Sequence, residues 1–197
     1  MFSVETFSTL GLLGLAIAIF AETGLLVGVV FPGDSLIFSF GILASIGRIS
    51  FVGTIVVTAI ASYLGYEVAY LIGRKYGTKF FEKSDHGLIS TKNMRRAEWY
   101  YTRFGALTVL FSRFVPILRT LAGPLAGVGR MHRKTFIVYN AIGAIIWPSV
   151  VASIGYFFGE LIPNPDRYIM PIIVIVVGLS ILMPFFLSLY HRIVNKK

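Results

Sequence analysis

Phe111-Ser112-Arg113-Phe114-Val115-Pro116-Ile117-Leu118-Arg119-Thr120 sets two guanidinium groups and a proline inside a segment, residues 104–129, that is otherwise mostly apolar. An ionised side chain at bilayer depth costs about 2.5–3.5 kcal/mol on insertion scales, so such charges persist only when paired or wetted for a purpose. Basic runs flank the segment on both sides, with Arg95, Arg96 and Arg103 before it and Arg130-Met131-His132-Arg133-Lys134 after it. Both runs favour the cytoplasmic side, and a straight crossing would put one of them on the wrong face. A hairpin that enters and returns satisfies both, broken at Pro116 and again near Gly123-Pro124. Irregular backbone of that kind is tolerated where protein or a wet cavity surrounds it.

The rest of the chain fits a membrane setting. Of its 197 residues 56% are hydrophobic and only 14% charged, and the mean hydropathy is +0.79; soluble domains hold about 45–50% apolar residues. An all-α polytopic membrane protein follows, read as one domain over residues 1–197 because no low-complexity tract or interdomain linker interrupts it. Three segments are long enough to span a hydrocarbon core, at about 51–73, 135–159 and 168–190. Basic residues after the first and third and before the second place those ends, and the C-terminus, in the cytoplasm. The Pro163-Asn164-Pro165-Asp166 turn then lies outside. Met1–Glu5 lack the positive start of a cleavable signal, so the N-terminus is expected to be retained.

The formal charge of +9 is uneven, with 8 of the 18 Lys and Arg between Arg74 and Arg103. A cytoplasmic loop over about 74–103 near anionic headgroups accounts for it better than a nucleic-acid partner does. Within that loop, residues 88–103 read as an amphipathic helix on the inner leaflet, with Trp99 and Tyr100 near the headgroups.

Phe31-Pro32-Gly33-Asp34-Ser35 interrupts another apolar run, from Phe7 to Ile46. Residues 22–46 therefore read as a second re-entrant hairpin, entering from the opposite face. Two opposed interruptions match the broken-helix plan of secondary transporters. Glu22 and Asp34 lie in this hairpin with no Lys or Arg in their own segment, so any ion partner must come from the other hairpin. Either could carry a proton. Asp34 or Ser35 could instead cap the half-helix that starts after Pro32, whose free N–H groups also favour an anion. Arg113 and Arg119 offer planar donor forks suited to a phosphate; the structural alternative is that they snorkel or hold backbone carbonyls. Glu67 reads as structural or cavity-lining, with Tyr66 and Tyr70 as hydrogen-bond partners.

An enzyme is not expected. The histidines His86, His132 and His191 fall in loops or the tail, and no phosphate-binding loop, nucleophile elbow or metal-ligand cluster occurs. No cofactor or metal is expected, and zero cysteines exclude thiolate chemistry. The expected partners are a lipid substrate, membrane lipids and protons, with homo-oligomerisation left open.

The stretch from Arg103 to Trp147 carries Phe104-Gly105, Arg113-Phe114-Val115-Pro116, Arg119-Thr120, Ala126-Gly127, Arg130-Met131, Phe136, Asn140, Gly143 and Trp147. Upstream stand Pro32-Gly33-Asp34 and Tyr70-Leu71-Ile72-Gly73-Arg74. Over about residues 15–160 the chain thereby resembles the DedA family, whose domain is shared with eukaryotic lipid scramblases of the VTT, or SNARE-associated, type. The resemblance implies two facing re-entrant hairpins and lipid movement between leaflets. For bacterial members it implies undecaprenyl phosphate as cargo at the plasma membrane, with dependence on the proton gradient. The family's acidic and arginine pairs fall on Glu22, Asp34, Arg113 and Arg119, with Pro32, Gly33, Ser35, Pro116, Thr120 and Glu67 in support. Many members carry an acid four positions before the tyrosine of the Tyr-x-Ile-Gly-Arg motif, where this chain has Tyr66 and an acid only at Glu67. An uncoupled phospholipid scramblase and a non-transporting scaffold for envelope or division machinery remain the alternatives.

Overall fold

Two long apolar helices form the frame of the computed structural model, which describes residues 4–24, 33–81, 99 and 101–163, with isolated positions at 168, 171, 174, 175, 178 and 182. In chain order the elements are α1 (Val4–Gly24), α2 (Gly33–Ser45), α3 (Phe51–Phe81), α4 (Leu107–Phe111), a 3-10 turn (Ser112–Phe114), α5 (Pro116–Val128) and α6 (Arg133–Glu160). No strand occurs among the described residues. Phe51–Tyr76 of α3 and all of α6, at 26 and 28 residues, are long and apolar enough to cross a membrane. They contain the first two expected spans. The third span, Pro32, and most of the loop with its amphipathic helix lie outside the described residues, as does the chain between α1 and α2.

Local chemistry sets the helix ends. Ser50 Oγ accepts the Gly53 N–H at 3.0 Å, capping the first turn of α3. Gly47, at φ +72°, closes α2: its N–H reaches Ala44 O and that of Arg48 reaches Leu43 O, each at 3.1 Å. The same pair of bonds ends α5, but there Arg130 takes the left-handed position at φ 51°. The break at Pro116 is present: Val115 is extended (φ −119°, ψ 111°), and the proline opens α5 at its start, where a missing N–H costs little. The expected second break near Gly123-Pro124 is not there, since α5 continues through Pro124. Two tyrosines tie this helix to its surroundings. Tyr66 donates to Arg119 O at 2.8 Å and Tyr101 to Ala122 O at 2.5 Å.

Contacts fix the helix directions. Along α6, α2 meets Trp147 through Asp34 and Gly159 through Ser45, so these two helices run parallel. Along α3, α5 meets Tyr66 through Arg119 and Arg74 through Gly127, again parallel. α3 and α6 are antiparallel, with Tyr63 O accepting from Asn140 at 3.1 Å and Glu67 meeting Arg133 at 3.1 Å. Hence α2 and α5 point in opposite directions, and they begin at one place. Each short helix packs on the long helix of the other half. Glycines permit that closeness: a Cβ at Gly41 would strike Ala152 O, and one at Gly73 would strike Pro124 O.

The exterior of the long helices is apolar, with Val52, Ile60, Ile145 and Ile154 exposed, while Thr54, Thr58, Ser62, Arg113, Arg119 and Asn140 are buried. That inversion of the soluble pattern suits a lipid surround.

Candidate functional site

Arg119 sits on the first turn of α5, directed to the meeting point of the two short helices. Its Nη2 lies 2.7 Å from Glu22 Oε1 near the end of α1, and its Nη1 lies 2.7 Å from Asp34 Oδ1 on the first turn of α2. The guanidinium is 5.0 Å from the Trp147 ring centroid, and Trp147 Nε1–H donates to the same Asp34 oxygen at 3.1 Å. The two acids differ in access. Glu22's side chain is 1% exposed and Asp34's is 48%, so one carboxylate is buried and the other half-exposed.

Glu22 fits only because residue 33 lacks a side chain. A Cβ at Gly33 would overlap Glu22 Oε2 and lie 2.8 Å from its Cδ. The glycine therefore serves the ion pair as a cradle as well as starting α2. Asp34, a candidate cap, lies inside the helix that begins at Gly33 and spends its carboxylate on Arg119 and Trp147. Ser35 is half-buried on the same turn, and Thr120 is buried next to Arg119.

Arg113 departs from the expected symmetry, because it pairs with neither acid. The 3-10 turn before the Val115 break carries it inward, 1% exposed, across Gly143, where a Cβ would come 3.0 Å from its Nε. Its Nη2 donates to Asn140 Oδ1 at 2.6 Å, and the guanidinium lies 4.0 Å from the Tyr66 centroid. Among the described residues its Nε and Nη1 have no hydrogen-bond partner. Tyr66 joins the two arginines: its ring carries Arg113, and its hydroxyl is 3.3 Å from Ser112 Oγ and donates to Arg119 O.

Glu67 turns away from both tyrosines. It pairs with Arg133 at 3.1 Å and lies 3.5 Å from Asn140 Nδ2, while Tyr70 donates to Met131 O at 2.8 Å. Groups from α6 thus replace the expected tyrosine partners: Tyr66, one place along the helix, points about 100° away, and Tyr70, on the same face, spends its hydroxyl on Met131 O.

Asn140 and Trp147 anchor the arginines and the half-exposed acid, yet only the family resemblance points to either in the sequence. A signal existed. Asn140, Gly143 and Trp147 recur at three and four residues on α6, one helical stripe that sets a small residue between two polar-tipped ones. The two acids and two arginines balance in charge. Both short helices also direct the positive ends of their dipoles toward the centre.

The VTT domain model matches residues 31–157. Protein DedA of Escherichia coli K12 is 37% identical over 170 residues, covering 85% of this chain and 77% of that protein. A membrane protein of Mycobacterium tuberculosis H37Rv is 33% identical over 171 residues, covering 86% and 74%. The inner membrane protein YghB of Escherichia coli K12 is 32% identical over 170 residues, covering 82% and 77%. No solved structure matches the chain. The domain match takes in α2 through most of α6, including Asp34, both arginines and their anchors, and with these relatives it makes the chain a DedA-family membrane protein.

Proposed function

We propose that this chain moves undecaprenyl phosphate, or a related anionic lipid, between the leaflets of the bacterial plasma membrane, exchanging protons at its acidic pair. One observation carries the reading: Arg119 is held between two carboxylates while Arg113, equally buried and linked to it through Tyr66, keeps two nitrogens without a partner among the described residues. A buried guanidinium with donors to spare is a site for an oxyanion.

In this reading the phosphate enters beside Asp34, the exposed acid, and displaces it from Arg119. The displaced carboxylate takes up a proton. Glu22, seated against Gly33, holds Arg119 while the site is empty and exchanges a proton in the same step. Arg113 supplies the second cationic contact, and the hydrocarbon tail remains in apolar surroundings. Apart from that proton transfer, no covalent bond is made or broken. The opposed short helices are then re-entrant arms entering from the two membrane faces, with the C-terminus cytoplasmic. Relatives named as membrane and inner membrane proteins support the location.

The test is leaflet exchange in vesicles holding wild type, Arg113→Ala or Arg119→Ala, comparing undecaprenyl phosphate with phosphatidylethanolamine. Both variants are expected to lose exchange of the polyprenyl phosphate. Wild-type rates in both would refute the headgroup site, and equal handling of both lipids by wild type, unchanged by an imposed pH gradient, would indicate an uncoupled scramblase. No exchange of either lipid by the wild type would leave the scaffold reading.

A further inference from the structure

An apolar groove of about 250 Å³ opens between α4 and α5, lined by Phe104, Leu107, Thr108 and Phe111 on one side and Val115 and Leu118 on the other. Ser112 completes the wall. The rim is exposed, with Leu107, Phe111 and Val115 each more than 40% accessible, while Thr108, Ser112 and Leu118 are buried. Ser112 is the joint between the groove and the charged centre. Its backbone is bonded to that of Arg113, and its Oγ lies 3.3 Å from the Tyr66 hydroxyl that reaches Arg119 O.

We infer that this groove seats the phosphate-proximal segment of the hydrocarbon chain of the lipid whose headgroup the arginines hold. The inference rests on the headgroup reading above and adds where the chain leaves the site. Continuity selects this groove. Two larger grooves, about 430 Å³ between α1 and α3 and about 290 Å³ between α3 and α6, have no lining residue next to either arginine in the chain. A chain carbon occupies about the room of a water, whose share of liquid volume is about 30 Å³, so the groove takes on the order of eight chain carbons. That is enough for the first part of one chain. A lipid phosphate ester with a single chain matches one narrow groove beside one phosphate site.

The experiment uses the full chain in nanodiscs and a polyprenyl phosphate with a diazirine in the isoprene units nearest the phosphate. Crosslinks are mapped in wild type, Leu107→Trp, Ile17→Trp and Arg113→Ala. The expected labels fall on residues 104–118 and are competed by unlabelled polyprenyl phosphate. They are expected to drop about tenfold in Leu107→Trp, whose indole fills the apolar space, and to persist in Ile17→Trp. Loss of labelling in Arg113→Ala, with labelling of residues 104–118 in wild type, would support both the groove and the headgroup site. Labels spread equally over Leu13, Ile17 and Phe20, and insensitive to Leu107→Trp, would overturn the groove while sparing the headgroup. Full competable labelling in Arg113→Ala would instead count against the headgroup site alone.

Discussion

Replacing Gly33 by alanine adds one methyl group, and its effect has a sign that local rules get wrong. Helix propensity favours alanine over glycine by up to about 1 kcal/mol, so the substitution ought to stabilise α2. In the folded chain, however, that methyl would occupy the space of Glu22 Oε2 and approach Ile19 Cδ1 to 3.0 Å. The carboxylate must leave, and Arg119 Nη2 then loses its 2.7 Å partner in a buried site. Breaking a buried pair costs about 3–5 kcal/mol. Set against about 1 kcal/mol from propensity, Gly33→Ala should destabilise by about 2–4 kcal/mol.

The double variant makes the test sharp. In a Glu22→Ala background no carboxylate occupies the cradle, so Gly33→Ala should become neutral or stabilising by up to about 1 kcal/mol. The coupling between positions 22 and 33 is then about 3 kcal/mol or more, well above the scatter of independent sites. Detergent-solubilised protein titrated with SDS and followed by circular dichroism measures both terms. Equal effects of Gly33→Ala in the two backgrounds would refute the seating of Glu22 against Gly33, and with it the two-acid clamp on Arg119.

Asn140→Leu should cost about 3 kcal/mol in the same titration, because Arg113 loses the acceptor at 2.6 Å and Tyr63 O loses a donor; a change under about 1 kcal/mol would mean that Arg113 is anchored elsewhere. Gly73→Ala should destabilise by about 1–3 kcal/mol, since its Cβ would strike the Pro124 carbonyl and push α5 from α3, and an unchanged midpoint would rule out that close packing. Arg130→Gly should stabilise by about 0.5–1 kcal/mol, because glycine takes φ 51° without the strain an arginine bears there; destabilisation would mean that the arginine side chain holds the α5–α6 turn together.

The features read correctly from the sequence are those encoded over short distances. Hydropathy marks the long helices because membrane crossing needs a continuous apolar run, and Pro116, after the extended Val115, starts a helix where its missing N–H costs little. Proline is a weaker guide once a helix has neighbours. At Pro124 the helix goes on, packed so closely on α3 that its carbonyl meets Gly73. The need for partners from the other hairpin also followed from the sequence, since Glu22 and Asp34 have no cation in their own segment.

Which partner each charge takes did not follow. Arg119 reaches Asp34 across 85 positions of sequence, and Trp147 reaches the same oxygen across 113. Only helix packing brings those groups within bonding distance. Sequence alone therefore determined that this chain lies in a membrane, that a helix starts anew at Pro116, and which charges need neutralising, because burial in lipid penalises each of those features locally. The tertiary structure decided that one arginine takes both acids while the other takes an asparagine and a tyrosine ring. Close backbone approach at glycines sets the depth and rotation of each helix, and a displacement of an ångström or two there exchanges one partner for another.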